Sequence, residues 1–204
     1  RIDGAVLDDI DAWGKHLWFH WSTGEVGHVH LGLFGRFRVH RGGSPAPAPR
    51  GAVRMRLASP DAVVDLSGPT ACSVGPPSER EAIIARLGPD PLRSDADAEQ
   101  AIAAMGRSRR AMGALLLDQS VLAGVGNVYR AEAMFVHGIH PERPGRDCTY
   151  EELGELWDTV RTMLRAGVRS GRIVTVSKDD LGLPRGARIP RREATYVYKR
   201  DRCL

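Results

Sequence analysis

Apolar and polar residues alternate along the first part of the chain, as they do in strands with one buried face. Residues 17–21 are rich in aromatic side chains, and residues 26–39 alternate valine, leucine and phenylalanine with polar residues. Ser22-Thr23-Gly24-Glu25 lies between these segments and suits a hairpin turn. Residues 52–66 hold two more short alternations. The pattern predicts strands within residues 1–43 and an antiparallel sheet over the first part of the chain.

From Glu79 the apolar residues recur every three or four positions, which is the spacing of amphipathic helices. Thr149 precedes the last helical pattern and Glu152 occupies its third position, a capping-box arrangement that predicts where this helix begins. Strands followed by helices predict an α+β fold. The predicted helices are residues 80–87, 96–105, 111–118, 128–135 and 150–167.

We predict a partial β-sandwich-type domain over residues 1–76, a helical domain over residues 77–176 and a C-terminal segment over residues 177–204. Residues 42–49 contain alternating prolines and are predicted to form a loop. Residues 177–192 are polar and basic with glycine and proline, so we expect a mobile loop there. Residues 197–199 are predicted to open a final hairpin.

The composition, 42% hydrophobic and 26% charged, is typical of a soluble globular protein, and the net charge of +4 favours a polyanionic partner. One basic run by itself indicates only a solvated face. Two runs on either side of a glycine-rich turn favour nucleic acid. The runs comprise Arg107, Arg109 and Arg110 before the turn, and Arg185, Arg188, Arg191, Arg192, Lys199, Arg200 and Arg202 after it.

Three cysteines, Cys72, Cys148 and Cys203, are far apart and odd in number, which fits a reducing cytoplasm better than a disulfide framework. No apolar run approaches the length of a membrane span, and no signal peptide opens the sequence. We therefore expect a cytoplasmic protein without a membrane partner. The sequence does not begin with methionine and stops one residue after a cysteine, so we expect both ends to be cut.

The glycine turn, Ala123-Gly124-Val125-Gly126-Asn127, separates two helical patterns and is the first candidate site. Its two glycines let the backbone approach another molecule closely. Asn127 stands where the second helix begins, and the free N–H groups of a helix start suit a phosphate. Glycine turns between helices usually only redirect the chain, so the turn alone does not decide for phosphate binding.

The string of residues 118–133, DQSVLAGVGNVYRAEA, resembles the helix–two-turns–helix element of the formamidopyrimidine-DNA glycosylase and endonuclease VIII family of DNA repair enzymes. Residues 13–17, 28–35, 87–92, 138–144 and 195–203 resemble other segments of that family, in the family's order. The resemblance is closer to the bacterial endonuclease VIII branch. It implies a monomeric DNA glycosylase and AP lyase that acts on damaged double-stranded DNA of the bacterial nucleoid and excises an oxidised base, a pyrimidine in this branch.

The reaction that the resemblance implies needs an amine, which attacks the sugar carbon bearing the damaged base and forms a Schiff base, after which the strand is cut by elimination. In the family the amine is an N-terminal proline, and the adjacent glutamate is the acid and base. The sequence begins Arg1-Ile2-Asp3 and has neither residue there. We therefore expect residues 1–204 alone to be inactive as a glycosylase.

The resemblance also gives roles to individual residues. Lys15 matches a lysine that contacts a phosphate beside the lesion and donates a proton during elimination; the alternative is an exposed strand lysine. Asn127, preceded by Gly126, matches an asparagine that binds a DNA phosphate, and asparagine is also a favoured helix cap. Arg130 and Glu132 match positions near the active site; the alternative is an i, i+2 pair on a helix without mutual contact.

Leu33 and Phe34 match the residues that the family inserts into the duplex once the damaged nucleotide is flipped out, where an apolar side chain compensates for lost stacking. Composition alone predicts two strand residues, at least one of them buried. Four further candidate DNA contacts belong to the basic runs: Arg109, Arg110, Lys199 and Arg200.

Cys203 matches the first of four zinc cysteines in a C-terminal zinc finger, so the resemblance implies a structural Zn²⁺ in the full-length protein. One cysteine cannot supply a tetrahedral site, so we expect no zinc on these 204 residues. His28 and His30 share one face of a predicted strand, and without a third ligand at suitable spacing we expect polar or packing contacts there. Residues 178–192 match a lesion-contacting loop, with a solvated linker as an equal alternative.

Two other classes of function stay open from the sequence. A non-catalytic module would grip duplex DNA or RNA through Asn127 and its basic flanks, and would form no covalent adduct with abasic DNA under borohydride. A helical ribosomal or RNA-binding protein with a similar turn is disfavoured by the aromatic strands and by the segment that leads to Cys203.

Overall fold

The computed structural model describes residues 2–42 and 47–203, and its internal contacts divide the chain into two compact units. Arg1–Ala85 forms the β unit, and Arg86–Leu204 forms the helical unit. Part of the loop predicted at residues 42–49, namely residues 43–46, lies outside the described residues.

Within the described residues, the β unit contains seven strands in two antiparallel sheets. The strand order is β1-β2-β3-β7 in the first sheet and β4-β6-β5 in the second. The strands are β1 Leu7–Trp13, β2 His16–Trp21, β3 Val26–His30, β4 Arg36–Arg41, β5 Val53–Ala58, β6 Ala62–Ser67 and β7 Ala71–Gly75.

Both sheets contribute to one apolar core. Phe19, Trp21 and Val29 of the first sheet are buried in the same cluster as Leu66 of the second. Each such side chain stabilises a fold by roughly 1.5–3 kcal/mol when it is fully buried. Trp18 is also buried, and the guanidinium of Arg80, on helix α1 (Pro77–Ile84), lies 5.3 Å from its ring centroid.

The structure gives the strand boundaries in the predicted sheet region. The alternation over residues 26–39 is divided between two strands, because β3 ends at His30 and the chain turns at residues 31–35 before β4. Strand β7 was not predicted, whereas β1 lies within residues 1–43, where strands were predicted. The sequence of β1, LDDIDAW, has few apolar residues, and its strand conformation depends on antiparallel pairing with β2.

The helical unit contains four α-helices within the described residues: α2 Ala98–Gly106, α3 Met112–Leu115, α4 Asn127–Val136 and α5 Tyr150–Ser170. Helix α5 begins with the predicted capping box. Glu152 N donates to Thr149 Oγ1 at 3.1 Å, and Thr149 N donates to Glu152 Oε2 at 2.7 Å. The core between the helices includes Met105, Leu116, Leu122, Leu156 and Val160, all of them fully buried.

Two helices differ most in extent from their predictions. The helix predicted at residues 80–87 begins earlier, at Pro77, because the fixed φ of proline suits the first turn of a helix. The helix predicted at residues 111–118 is reduced to α3, and Asp118 Oδ1 accepts a hydrogen bond from Ser120 N at 3.0 Å in the turn that follows.

After α5 the described residues form turns and a short 3-10 segment, Arg191–Glu193; another 3-10 segment, Gly145–Asp147, lies before α5. Residues 197–199 lie in turns and not in the strand predicted there, and Lys199 has a φ of +54°. None of the helices in the described ranges is long and apolar enough to cross a bilayer.

Candidate nucleic-acid interface

Gln119 organises the glycine turn from inside. Its Oε1 accepts a hydrogen bond from Gly124 N at 3.0 Å, and its Nε2 donates to the carbonyl oxygens of Leu117 at 2.8 Å and Val125 at 3.1 Å. Gly124 has a φ of +93°, which favours glycine. No role was predicted for Gln119 from the sequence, although a glutamine beside a glycine turn can bond the turn's own backbone.

Gly88 and Pro89, in a segment that lies beside the same turn, support it through backbone hydrogen bonds. Gly88 N donates to Gln119 O at 2.8 Å, and Ala123 N donates to Pro89 O at 3.0 Å. A Cβ at Gly88 would lie 2.7 Å from Ser120 O, so only glycine lets the two segments approach this closely. The resemblance at residues 87–92 therefore coincides with a structural support of the turn.

Asn127 is the first residue of α4, and Gly126, not Asn127, occupies the N-cap position. This corrects the alternative in which Asn127 caps the helix. The first helical hydrogen bond runs from Arg130 N to Gly126 O at 3.0 Å, so the three preceding N–H groups have no partner within the helix. The Asn127 side chain is exposed and has no hydrogen-bond partner among the described residues.

The arginines near the turn differ in their partners. Arg130 is partly buried, and its Nη1 donates to Gly113 O at 3.3 Å, which ties α4 to α3. Arg110 Nη1 lies 2.6 Å from Asp118 Oδ2 in an exposed ion pair. Arg110 and Ser120 hold the pKa of Asp118 below its ordinary value, with the hydrogen bond from Ser120 as the largest cause. Arg109 is exposed.

Lys15 lies in the tight turn between β1 and β2, directly after Gly14, which has a φ of +60°. The residue is exposed at the surface, yet surrounding protein atoms partly desolvate its ammonium group and lower its pKa. A lower pKa makes a lysine a better proton donor near neutral pH.

The apolar turn, residues 31–35, presents two side chains to solvent. Leu33 is 91% exposed and Phe34 is 83% exposed, so neither is the buried strand residue that composition predicted. Gly35 N donates to Leu31 O at 2.9 Å and closes the turn. Gly32 has a φ of +63°, and a Cβ there would meet Thr70 Oγ1 at 1.9 Å, so the turn requires glycine at this position.

Lys199 and Arg200, two basic residues near the end of the chain, each contact a nearby residue. Lys199 Nζ lies 5.7 Å from the ring centroid of Tyr198, and Arg200 Nη2 donates to Arg192 O at 2.9 Å. Cys203 is exposed with a free thiol. The described residues include no group of three or more potential metal ligands, so they do not fit a structural zinc site.

Glu132 has a role that the sequence analysis missed. Its side chain is fully buried and accepts hydrogen bonds from four donors in residues 175–198. The resemblance implies a position near the active site, and the structure shows in addition that this carboxylate is buried inside the helical unit. The partners are 43 to 66 residues further along the chain, so no local pattern indicates them.

Three histidines meet on the first sheet, because pairing of β2 with β3 brings His16 beside His28 and His30. His16 Nδ1 and His28 Nε2 are 2.9 Å apart, and the His16 ring stacks on both neighbours at 4.9–5.2 Å. Burial and the neighbouring His30 lower the pKa of His28. The rings stack in near-parallel planes, at 17° between His16 and His28 and 19° between His16 and His30, so both histidines make packing contacts of the kind predicted.

Comparisons with family models agree with this architecture. Residues 1–68 match the model of the formamidopyrimidine-DNA glycosylase N-terminal domain, and residues 87–179 match that of the formamidopyrimidine-DNA glycosylase H2TH domain. The second match contains the glycine turn, α4 and α5.

Individual proteins are also similar. The chain is 47% identical to endonuclease 8 1 of Mycobacterium tuberculosis, over 98% of this chain and 75% of that protein. The MutM (Fpg) structure from Thermus thermophilus superposes with a TM-score of 0.74 at 30% identity, over 97% of this chain and 73% of that one. A Lactococcus lactis formamidopyrimidine-DNA glycosylase bound to DNA with an AP site shares the fold, with a TM-score of 0.71 at 20% identity, over 88% and 68% of the chains.

Proposed function

Because this chain belongs to the formamidopyrimidine-DNA glycosylase and endonuclease VIII family of DNA repair glycosylases, we propose that the protein excises an oxidised pyrimidine from duplex DNA and then nicks the strand. The observation that carries the proposal is the exposed Asn127 side chain beside unpaired amides, on a turn held rigid by Gln119. Identity of 47% to endonuclease 8 1 against 30% to MutM supports the endonuclease VIII branch.

Asn127 and the first amides of α4 bind a backbone phosphate in this proposal. The amides carry the partial positive charge of the helix start, and the Asn127 amide group adds a neutral donor. The hydrogen bonds from Gln119, and those that join Gly88 and Pro89 to the turn, fix its conformation before DNA binds. Little conformational entropy is therefore lost on binding. The exposed Arg109 adds attraction that does not depend on sequence.

Lys15 contacts a phosphate beside the lesion and supplies a proton during strand cleavage. The tight β1–β2 turn presents it at the surface, and partial desolvation lowers its pKa toward the working pH. In the reaction that the family resemblance implies, an amine nitrogen bonds to the sugar carbon as the damaged base leaves. Loss of a proton from the neighbouring carbon then expels the phosphate on the 3′ side.

Leu33 and Phe34 fill the space that a flipped nucleotide leaves in the stack. Their side chains are the most exposed large apolar groups of the described residues, at 91% and 83%. A wedge of this kind compensates for the stacking that the duplex loses, which is a few kcal/mol per step. Exposure of two large apolar side chains on one turn supports a contact surface.

We propose none of residues 1–204 as the amine nucleophile. The family resemblance implies an N-terminal proline followed by a glutamate, and we propose that the full-length protein uses that pair. A structural Zn²⁺ in a C-terminal finger that includes Cys203 is proposed on the same ground.

The test is borohydride trapping of the full-length protein on a duplex with a single abasic site, followed by intact-mass analysis. A Schiff base becomes a stable amine, so an adduct of protein plus cleaved DNA is expected. Duplexes with one oxidised pyrimidine or one 8-oxoguanine then measure base preference, and faster excision of the pyrimidine is expected.

Two outcomes would contradict the proposal. Tight binding to abasic DNA without an adduct would indicate the non-catalytic module that grips phosphates through Asn127. An adduct with faster removal of 8-oxoguanine would keep the glycosylase and lyase activities but assign the protein to purine lesions.

A further inference from the structure

We propose that Glu132 is a positioning residue that orders the C-terminal segment, residues 195–203, so that Lys199 and Arg200 contact DNA. The proposal rests on the proposed function, because it concerns how the protein grips DNA. Glu132 lies on α4, five residues after Asn127, and its side chain is fully buried.

The carboxylate of Glu132 is surrounded by donors. Oε2 accepts from Thr175 Oγ1 and from Tyr196 N, each at 2.5 Å, and Oε1 accepts from Val197 N at 2.9 Å and Tyr198 N at 2.8 Å. Three of the donors are consecutive backbone amides, which form a concave anion site around the carboxylate. An ionised carboxylate only accepts hydrogen bonds, so it satisfies all four donors at once.

This contact fixes the backbone conformation of the segment. Because residues 196–198 point their N–H groups at one side chain, they cannot pair with a neighbouring strand, which explains why residues 197–199 form turns. Lys199 follows immediately with a φ of +54°, an uncommon conformation for a residue other than glycine. Glu132 therefore determines the direction in which the chain leaves at Lys199.

The same contact extends to the loop before the segment. The Tyr196 hydroxyl donates to Asp180, and the Tyr196 ring lies 5.7 Å from that of Phe135 on α4. Hydrogen bonds from Ser177, the larger cause, and from Tyr196 lower the pKa of Asp180. Val176, Ile189 and Ala194 form a small buried cluster beside these residues.

Helix α4 links the two ends of this arrangement. Asn127 and Glu132 are separated by about 7.5 Å along the helix axis, at 1.5 Å per residue. The proposed phosphate site at the start of α4 and the Glu132 side chain that holds residues 196–198 therefore belong to one rigid helix. A duplex held at Asn127 meets Lys199 and Arg200 in a defined geometry only while Glu132 holds residues 196–198.

The first experiment compares the full-length wild-type protein with Glu132→Gln on a duplex containing a stable abasic-site analogue. A glutamine has one acceptor oxygen and turns an NH₂ group toward backbone donors, so it cannot replace the carboxylate. The slope of log affinity against log salt concentration should decrease in magnitude by about 1–2, which is the contribution of one or two phosphate contacts. Glu151→Gln, an exposed position on α5, removes the same charge and should leave the slope unchanged.

A double-mutant cycle separates positioning from general destabilisation. In wild-type protein, Lys199→Ala with Arg200→Ala should reduce the salt slope; in Glu132→Gln protein, the same pair should change nothing further. Asn127→Ala should still weaken binding in Glu132→Gln protein, because the glycine turn does not depend on Glu132. Thr175→Val removes one donor to Glu132 with little change of shape and should give a smaller effect of the same kind.

Additive effects of Glu132→Gln and the Lys199 and Arg200 pair would overturn the proposal, as would an unchanged salt slope. If Glu132→Gln does not fold, Thr175→Val decides the question by the same cycle. Trapping of wild-type protein by borohydride is measured separately. Absence of an adduct contradicts the proposed enzyme, whereas coupled salt slopes without an adduct keep Glu132 as the positioning residue of a DNA-binding protein.

Discussion

The glycine turn and the apolar turn expose different chemical groups and are held in shape by different contacts. In the glycine turn, Ala123 and Val125 are fully buried, and Asn127 is the residue with an exposed side chain. In the apolar turn the backbone closes on itself between Leu31 and Gly35, and the large side chains point into solvent.

The difference follows from what each turn is proposed to contact. A phosphate oxygen requires donors at fixed positions, and Gln119 holds the turn that supplies them. A gap in a base stack requires apolar volume, which a side chain supplies without a fixed backbone pattern. Substitution of Gln119, which supports the glycine turn from inside, should therefore reduce stability, whereas substitutions of the exposed side chains of either turn should reduce only binding.

The largest effect is expected for Gln119→Ala. This change removes three hydrogen bonds and leaves the Gly124 amide and two carbonyl groups without their side-chain partner. Unfolding free energy should fall by about 3 kcal/mol, since each buried polar group left unsatisfied costs about 1–3 kcal/mol. Urea unfolding measures it, with Gln100→Ala, at an exposed position of α2, as the control. Equal midpoints for the two variants would show that Gln119 does not support the turn.

Asn127→Ala is expected to weaken DNA binding about tenfold, or about 1.4 kcal/mol, through the loss of one hydrogen bond to phosphate. Unfolding free energy should change little, because the side chain is exposed and Gly126 occupies the cap. Fluorescence anisotropy on an abasic-analogue duplex measures the affinity, and urea unfolding gives the stability. Unaltered affinity would remove Asn127 from the interface.

A smaller, pH-dependent difference is expected between the supports of the two turns. Strand β3 leads into the apolar turn and carries His28, whose pKa lies below its ordinary 6.5. As pH falls, His28 is protonated in the unfolded chain before it is protonated in the folded chain. The contribution of neutral His28 to the stability of the β unit is therefore lost as pH falls below about 6.5. Asp118, beside the glycine turn, has a pKa below its ordinary 3.8, so its contribution is present above 3.8 and is lost only at lower pH.

Amide hydrogen exchange at pH 7 and pH 5 measures this difference. Protection of β3 should fall at pH 5 while protection of α4 stays unchanged, and His28→Gln should remove the pH effect in β3. Parallel losses in both elements would contradict the assignment of the effect to His28.

The smallest change in stability is expected for Leu33→Ser combined with Phe34→Ser. Both side chains are already in solvent, so unfolding free energy should change by no more than about 0.5 kcal/mol. Binding to a duplex with an abasic-site analogue should weaken, whereas binding to an intact duplex should not. A large loss of stability would show that the turn packs in solution and is not a wedge.

The parts of the fold that the sequence predicts are those with local causes. Thr149 and Glu152 are three residues apart, so the start of α5 is visible in the sequence. Strand β7 was missed because its five residues are too few for a clear alternation, and its conformation depends on pairing with β3. His16 beside His28, and Glu132 beside Tyr196, depend on pairings across 12 and 64 residues that no local pattern contains.

The exposed pair Leu33 and Phe34 also has a calorimetric consequence. In the free protein water covers both side chains, and insertion into a stack would remove that water. Removal of apolar surface from water lowers the heat capacity, so the binding enthalpy should become more favourable as temperature rises. The slope of enthalpy against temperature therefore reports on the wedge separately from the ionic contacts, which respond chiefly to salt.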